Sequence, residues 1–166
     1  MKRMTVALAV GALVLGGAAT ASAATAAPKA PAAVKVPDGN RPLATYFGDG
    51  VQIYGCTNGA WALIQPAAVL SKHGQPVAIH SKGPVWTSTV DGSTVGAAAV
   101  ATSPREGAIP ELLLKANLNS GTGVFGKVTY IQRLNTHGGV APAGPCTEGA
   151  QTAVHYTADY AFWVAG

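Results

Sequence analysis

Two short runs, Val51-Gln52-Ile53-Tyr54 and Trp61-Ala62-Leu63-Ile64, stand on either side of Asn58-Gly59. The first run alternates with a period of two, which is typical of a half-buried strand. Asn and Gly both tolerate the positive φ angles that a tight hairpin turn requires. The stretch 51–64 therefore predicts a β-hairpin, although the residues between Cys56 and Ala60 also allow a loop longer than two residues.

Further β-type segments follow along the chain. They lie at 76–80, at 85–90 and 93–101 around a second turn signal, Asp91-Gly92, and at 124–135 and 152–164. Residues 109–118 fit either a helical stripe or a strand, and a strand is favoured because about ten residues without an N-cap make a poor helix. The pattern predicts an all-β domain over residues 36–166. It favours an antiparallel β-sandwich or barrel of about seven or eight strands.

Side-chain alternation indicates which residues face inward. One face is expected to hold Val124, Val128, Tyr130 and Leu134 on one strand, Val154, Tyr156, Tyr160, Phe162 and Val164 on another, and Trp61 and Leu63 on a third. The opposite faces carry Lys127, Thr129 and Arg133, and His155, Thr157 and Asp159. Those polar faces are expected to meet water or to line a cavity.

The N-terminus reads as an export signal. Lys2 and Arg3 precede an uncharged apolar stretch that ends before Ala21-Ser22-Ala23, a small-x-small cleavage site. Cleavage after about Ala23 predicts a secreted, extracellular protein with no membrane span after processing. Residues 24–35 are rich in Ala and Pro and are predicted to form a flexible leader.

Export also bears on the two cysteines, Cys56 and Cys146. In an oxidising compartment a single disulfide between them is the default expectation, with two buried thiols as the alternative. Neither residue belongs to a C-x-x-C pair, so redox catalysis and a cysteine-based zinc site find no support.

The composition excludes several classes of protein. Charged residues make up 11% of the chain, against about 25% in an average soluble domain. Without Lys2 and Arg3, the nine remaining basic residues outnumber the seven acids by only two. No nucleic-acid partner is therefore expected. The oligomeric state is left open.

Familiar cofactor and catalytic motifs are absent or out of context. Residues 121–126 match G-x-G-x-x-G, but a β-forming run follows them instead of the helix that a dinucleotide site needs. The four histidines are dispersed, no G-x-S-x-G elbow occurs and no acids stand as a close pair. We expect no cofactor, no metal site and no catalytic residues that the sequence can name.

Aromatic and polar side chains on the outlying strand faces are the candidate binding residues. Trp86 and Trp163 share strand faces with polar residues and could stack on a ligand, whereas Trp61 looks like a core residue. Burial of all three tryptophans is the competing interpretation. The full candidate set is Trp86, Arg133, His155, Asp159 and Trp163.

The chain from about residue 36 to residue 164 resembles the bacterial and fungal family called domain of unknown function 3455. The resemblance rests on the following motifs: Gly50-Val51-Gln52-Ile53-Tyr54 with Cys56; Gly83-Pro84-x-Trp86; Asp91-Gly92-Ser93; Ile109-Pro110-x-Leu112-Leu113-Leu114-Lys115; Gly123-Val124-Phe125-x-Lys127 through Arg133; Thr136-x-Gly138-Gly139; Cys146; and Tyr156-x-Ala158-Asp159-Tyr160. The resemblance implies a secreted protein of unassigned function. Some fungal relatives carry a malate dehydrogenase label, but dehydrogenase activity is not expected without a strand–glycine loop–helix unit.

Two hypotheses about function follow. The first is a non-catalytic extracellular module that binds a small ligand, a glycan or cell-wall material, or that belongs to the envelope. The second is an enzyme whose site is assembled only in the fold, from Lys127, Arg133, His155 and Asp159. A cavity that holds several of these groups within hydrogen-bond reach would favour the enzyme, and a shallow aromatic groove would favour the binding module.

Overall fold

The computed structural model describes residues 26–166. A single 3₁₀ turn, Ala32–Val34, precedes eight strands. The strands are β1 (Asn40–Thr57), β2 (Ala60–Lys72), β3 (Gln75–Ser81), β4 (Val85–Ser88), β5 (Thr94–Ser103), β6 (Glu111–Ser120), β7 (Val128–Gly138) and β8 (Gln151–Ala165). The predicted export signal, residues 1–23, lies outside the described residues.

The eight strands form one closed antiparallel barrel in which each strand pairs with its neighbours in sequence. The barrel closes where β1 pairs with β8, in a ladder that runs from Asn40 opposite Ala165 to Gly55 opposite Gln151. The prediction of an all-β fold with about seven or eight strands is confirmed. Of the two architectures left open by the sequence, the structure has the closed barrel.

The first hairpin turns at the two residues that the sequence indicated. Asn58 and Gly59 alone connect β1 to β2, and both have positive φ angles, 55° and 74°. This backbone matches the right-handed twist of the two strands. The loop is therefore the shorter of the two alternatives. The ambiguous segment 109–118 is a strand, as favoured, because it provides most of β6.

Two glycines of β1 lie where neighbouring segments of the barrel approach the strand closely. A Cβ atom at Gly50 would collide with the backbone of Ala67 and Ala68, and one at Gly48 would lie 2.7 Å from the ring of Tyr160. The close approach of neighbouring chain segments therefore requires glycine at both positions.

Aromatic side chains fill one end of the barrel. Tyr46, Phe125 and Phe162 pack together, with ring centroids 4.6–6.5 Å apart. Phe125 belongs to the β6–β7 loop and is fully buried, so this loop acts as a plug. The plug is fastened to the β4–β5 turn, where Asp91 accepts hydrogen bonds from the backbone amides of Ser93 and Val124, both at 2.9 Å.

The glycine-rich motif 121–126 lies in this plug. Strand β7 follows it, as the sequence predicted, so no helix begins there.

The predicted inward face of β7 is only partly right. Val128 lies in the barrel core, but Tyr130 and Leu134 pack on the outside of the barrel. A bulge between Val128 and Tyr130 in the β7–β8 ladder shifts the alternation by one residue. Ile131 enters the core in place of Tyr130. On β8 the prediction is confirmed for Tyr156, Tyr160 and Phe162.

The N-terminal segment covers part of the barrel's outer surface. Val34 and Val36 pack with Leu113, Leu134, Ala161 and Trp163 in an outer cluster. The side chain of Gln132 connects the layers, since Nε2 donates to the Val34 carbonyl at 2.7 Å and Oε1 accepts from Trp163 Nε1 at 2.9 Å. The packed structure thus begins a few residues before residue 36, within the last part of the predicted leader.

One disulfide joins Cys56 to Cys146 across 90 residues, as predicted. It links the end of β1 to the loop between β7 and β8. The same loop is held by backbone bonds from Cys146 N to Gly59 O and from Gly149 N to Cys56 O. The bond therefore fixes the rim of the barrel opposite the plug.

Candidate functional site: the cavity of the barrel

A cavity of about 460 Å³ opens into the unplugged half of the barrel. Strand β2 extends past the end of β3, and the wall between Ile64–Pro66 and the β3–β4 turn is therefore open. The lining residues come from all eight strands and that turn: Gln52, Leu63, Ile64, Gln65, Pro66, His80, Lys82, Gly83, Pro84, Trp86, Ala99, Leu112, Leu114, Arg133 and Tyr160. A concave, mainly apolar space of this size suits one small molecule.

His80 and Trp86 stack on each other in the lining of the cavity. They pair across β3 and β4, and their rings are parallel with centroids 4.2 Å apart. His80 Nδ1 donates to the Val85 carbonyl at 3.0 Å, because a carbonyl can only accept. Burial lowers the pKa of His80 to about 4; the charge of Arg133 adds to this and the bond to Val85 opposes it. At neutral pH the ring is therefore uncharged, and Nε2 is left as an acceptor.

Two tyrosines of β8 lie beside this stack. The hydroxyls of Tyr156 and Tyr160 are 2.9 Å apart, and the Tyr160 ring meets both His80 and Trp86 edge-on. Burial raises the pKa of both phenols, and that of Tyr160 is raised further by Tyr156. Both hydroxyls therefore stay protonated and supply neutral hydrogen-bonding groups.

Arg133 introduces a positive charge into this polar cluster. Its Nε and Nη2 atoms both donate to the Pro110 carbonyl, at 3.1 and 2.8 Å, and this holds the guanidinium in place. The charge opposes the upward shift of the pKa at Tyr54, Tyr156 and Tyr160. Among residues 26–166, no carboxylate lies within 4.0 Å of this guanidinium, since the ion pairs found there involve other residues.

Two buried polar atoms near the cavity have no hydrogen-bond partner within the described part of the chain. They are Oε1 of Gln52 and Nε1 of Trp86. A buried polar atom without a partner costs roughly 1–3 kcal/mol. The lining is therefore not optimised for stability alone.

The structure separates the predicted site residues. Arg133 and Trp86 line the cavity, and Trp86 is almost completely buried. His155 and Asp159 lie on the outside of β8, where His155 contacts Asp49 at 2.8 Å and Asp159 accepts from Asn135 at 2.8 Å. Trp163 is also on the outside, under the N-terminal segment.

Two further placements differ from the sequence analysis. Lys127 is exposed in the plug loop, so the four residues proposed for an enzyme do not converge. Trp61 is only half-buried and Leu63, expected to face the core, is 55% exposed at the cavity mouth. Both residues belong to the part of β2 that does not pair with β3. Side chains there do not pack into the barrel core.

The sequence patterns do not single out His80, Tyr160 or Gln52 as site residues. They predict Tyr160 as a core residue, which is confirmed, and they predict His80 only as part of a short strand. Alternation on β1 pairs Gln52 with Tyr54 on one face, and a polar residue among apolar inward positions was an available signal. No feature of the sequence predicts the gap in the barrel wall between β2 and the β3–β4 turn.

Within residues 26–166, fold and cavity together define a small β-barrel with an internal ligand-sized cavity and one disulfide. The family model described as "Protein of unknown function (DUF3455)" matches residues 71–164, which is more than half of the chain and spans almost all of β3 through β8. The chain belongs to this family, as its motifs suggested. No curated protein and no solved structure matches the chain.

Within the described residues, no group of three or more His, Cys, Asp and Glu side chains is arranged to hold a metal ion. No helix in residues 26–166 is long and apolar enough to cross a membrane.

Proposed function

We propose that the protein is an exported, non-catalytic carrier or sensor that binds one small molecule inside its barrel. The observation that carries this proposal is the cavity itself, in which apolar walls surround a preformed polar cluster of His80, Tyr160 and Arg133. Preformed sites of this kind bind without the cost of ordering side chains.

Small-molecule binding fits the structure better than binding of a glycan surface. An exposed aromatic platform is what a sugar ring needs, but Trp86 and Trp163 are 1% and 9% exposed. Catalysis by the predicted set has no geometric basis, because Arg133 lies inside the barrel and His155 and Asp159 lie outside it. The non-catalytic hypothesis is therefore the one we retain.

Export is supported by the disulfide. A bond between Cys56 and Cys146 persists in oxidising compartments and is rare in the cytosol. Mass spectrometry of culture supernatant should find a chain that begins at Ala24 or within a few residues of it. Recovery of the intact chain from Met1 in the membrane fraction would contradict export.

Binding is tested by a thermal-shift screen of small molecules on the purified protein. Any compound that binds only the folded state raises the melting temperature, by an amount that depends on its concentration. The Ala99→Trp variant should abolish the shifts, because Ala99 lines the cavity. The matched control is Ala98→Trp on the same strand, which changes an exposed alanine outside the cavity lining.

The control variant should keep the shifts of the wild type. Shifts that survive in Ala99→Trp would place binding elsewhere on the protein. A broad screen without any shift would contradict the proposal as a whole.

A further inference from the structure

The charged side chains of the cavity are of one sign. Lys82 and Arg133 belong to the lining, and no Asp or Glu does. Glu111, which precedes the lining residue Leu112, is a buried carboxylate. Its Oε1 already accepts hydrogen bonds from Arg105 Nη1 at 3.3 Å and from the Asn135 backbone amide at 2.7 Å. The interior therefore has an electrostatic preference for an anion.

One edge of the Arg133 guanidinium is hydrogen-bonded to the protein backbone. Nε and one hydrogen of Nη2 are directed at the Pro110 carbonyl. The Tyr160 side chain is a further hydrogen-bond partner of the guanidinium. The Nη1–Nη2 edge, which Pro110 does not occupy, has the spacing of the two oxygens of a carboxylate. A carboxylate bound at that edge would accept two charge-assisted hydrogen bonds, which are stronger than hydrogen bonds between neutral groups.

Apart from the polar side chains at Gln52, Gln65, His80 and Tyr160, most of the cavity surface is apolar. Aliphatic and proline side chains form the walls around Arg133, and they offer no hydrogen bonds: Leu63, Ile64, Pro66, Pro84, Leu112 and Leu114. An inorganic anion would leave these walls in contact with water. A ligand with an apolar body and one acidic group satisfies both parts of the cavity at once.

We propose that the ligand of this cavity is a small organic carboxylate, with its carboxylate on the Nη1–Nη2 edge of Arg133 and its apolar body between β2, β4 and β6. This inference rests on the proposed function and narrows it to one chemical class. Lys82, exposed at the cavity mouth, adds a second positive charge that attracts the ligand at low ionic strength.

The test compares two probes of the same shape, 2-naphthoate and its neutral amide, by calorimetric titration of the purified protein. The naphthoate should bind at least tenfold more tightly, roughly the range that a hydrogen bond to a charged group contributes. Arg133→Gln should remove that difference. Arg41→Gln takes the same charge from an exposed position outside the cavity lining, and should preserve it.

A second variant guards against a folding defect in Arg133→Gln. Arg133→Lys keeps the charge but loses the planar fork, so naphthoate binding should weaken at least severalfold while its preference over the amide persists. Equal affinity of the wild type for both probes would overturn the carboxylate inference. It would also be overturned if neither probe bound while neutral or cationic compounds from the screen did. In both cases binding by the cavity would stand, whereas failure of every compound would remove the proposed function as well.

Discussion

Single residues were hard to place from the sequence because inward and outward positions depend on where a strand bulges. The alternation 128, 130, 134 is regular in the sequence of β7, yet the bulge after Val128 directs Tyr130 outward. As a result, Arg133 lines the cavity. The sequence placed Arg133 on the polar face of its strand, and polar faces were expected to meet water or line a cavity, so this expectation is confirmed for Arg133. No residue pattern within a run of β-branched residues predicts where a one-residue bulge will occur.

His80 should make the free energy of unfolding decrease as the pH falls below neutrality. Its pKa is about 4 in the folded protein and 6.5 in the unfolded chain, so the unfolded chain takes up the proton first as the pH falls. Stability is therefore lost from about pH 6.5 downward, and the loss levels off below pH 4. The full effect is about 3 kcal/mol in the free energy of unfolding.

Denaturant unfolding at pH 7 and pH 4 measures this effect. His80→Phe can still stack on Trp86 but cannot titrate, so it should lose less stability between the two pH values than the wild type. The matched control is His73→Asn in the exposed β2–β3 turn, where the positive φ of 50° suits asparagine. A His80→Phe variant with the pH dependence of the wild type would show that another group is responsible.

At the scale of strands and loops, the sequence located most of the sheet but not its full extent. The Asn58-Gly59 turn, strand β8 and the choice of a strand for β6 were predictable from turn chemistry and residue type. The first part of β1 was missed because Pro42, Gly48 and Gly50 interrupt its pattern. Those glycines are required by the close packing of Tyr160 and Ala68, which no local signal reveals.

The plug loop should be sensitive to acid through Asp91. Hydrogen bonds from the Ser93 hydroxyl and from the amides of Val124 and Ser93 lower the pKa of Asp91 to about 2. A carboxylate with a lowered pKa stabilises the fold above its unfolded value of 3.8, and this contribution is lost as the pH falls towards 2. Asp91→Asn should therefore lower the melting temperature at pH 7.

The variant should also approach the wild type in stability at pH 2, where the wild-type side chain is itself becoming protonated. Scanning calorimetry at several pH values measures both effects. Asp38→Asn is the matched control, because this exposed aspartate lies outside the plug and pairs with Lys35 at 3.8 Å. A gap between Asp91→Asn and the wild type that is constant from pH 7 to pH 2 would contradict the assigned role.

At the scale of the whole molecule, closure of the barrel could not be deduced from the sequence. The ladder between β1 and β8 joins residues more than 90 positions apart, such as Gly55 and Gln151. Local patterns report which residues form strands, and they are the same for a sandwich and a barrel. The cavity follows from closure, so it could not be deduced from the sequence either, although two of its lining residues, Trp86 and Arg133, were among the sequence candidates.

The disulfide should stabilise the molecule by restricting its unfolded chain. A loop of 90 residues between Cys56 and Cys146 corresponds to ~4–5 kcal/mol in the chain-entropy model. Reduction should lower the melting temperature on the order of 10 °C for a domain of this size. Replacement of both cysteines by alanine should have the same effect, and ligand binding should persist below the new midpoint.

Thiol titration provides the control for that experiment. The native, non-reduced protein should show no reactive thiol even when unfolded in denaturant. A melting temperature that does not change on reduction would contradict the structural role of the bond.

The most direct measurement for the account as a whole is a crystal structure of the protein with the tightest-binding compound from the screen. We predict electron density inside the barrel, with an acidic group of the compound at the Nη1–Nη2 edge of Arg133 and its body against Leu112 and Leu114. Density for the compound only on the outer surface, with the cavity unchanged, would contradict the claim that the barrel is a ligand-binding site.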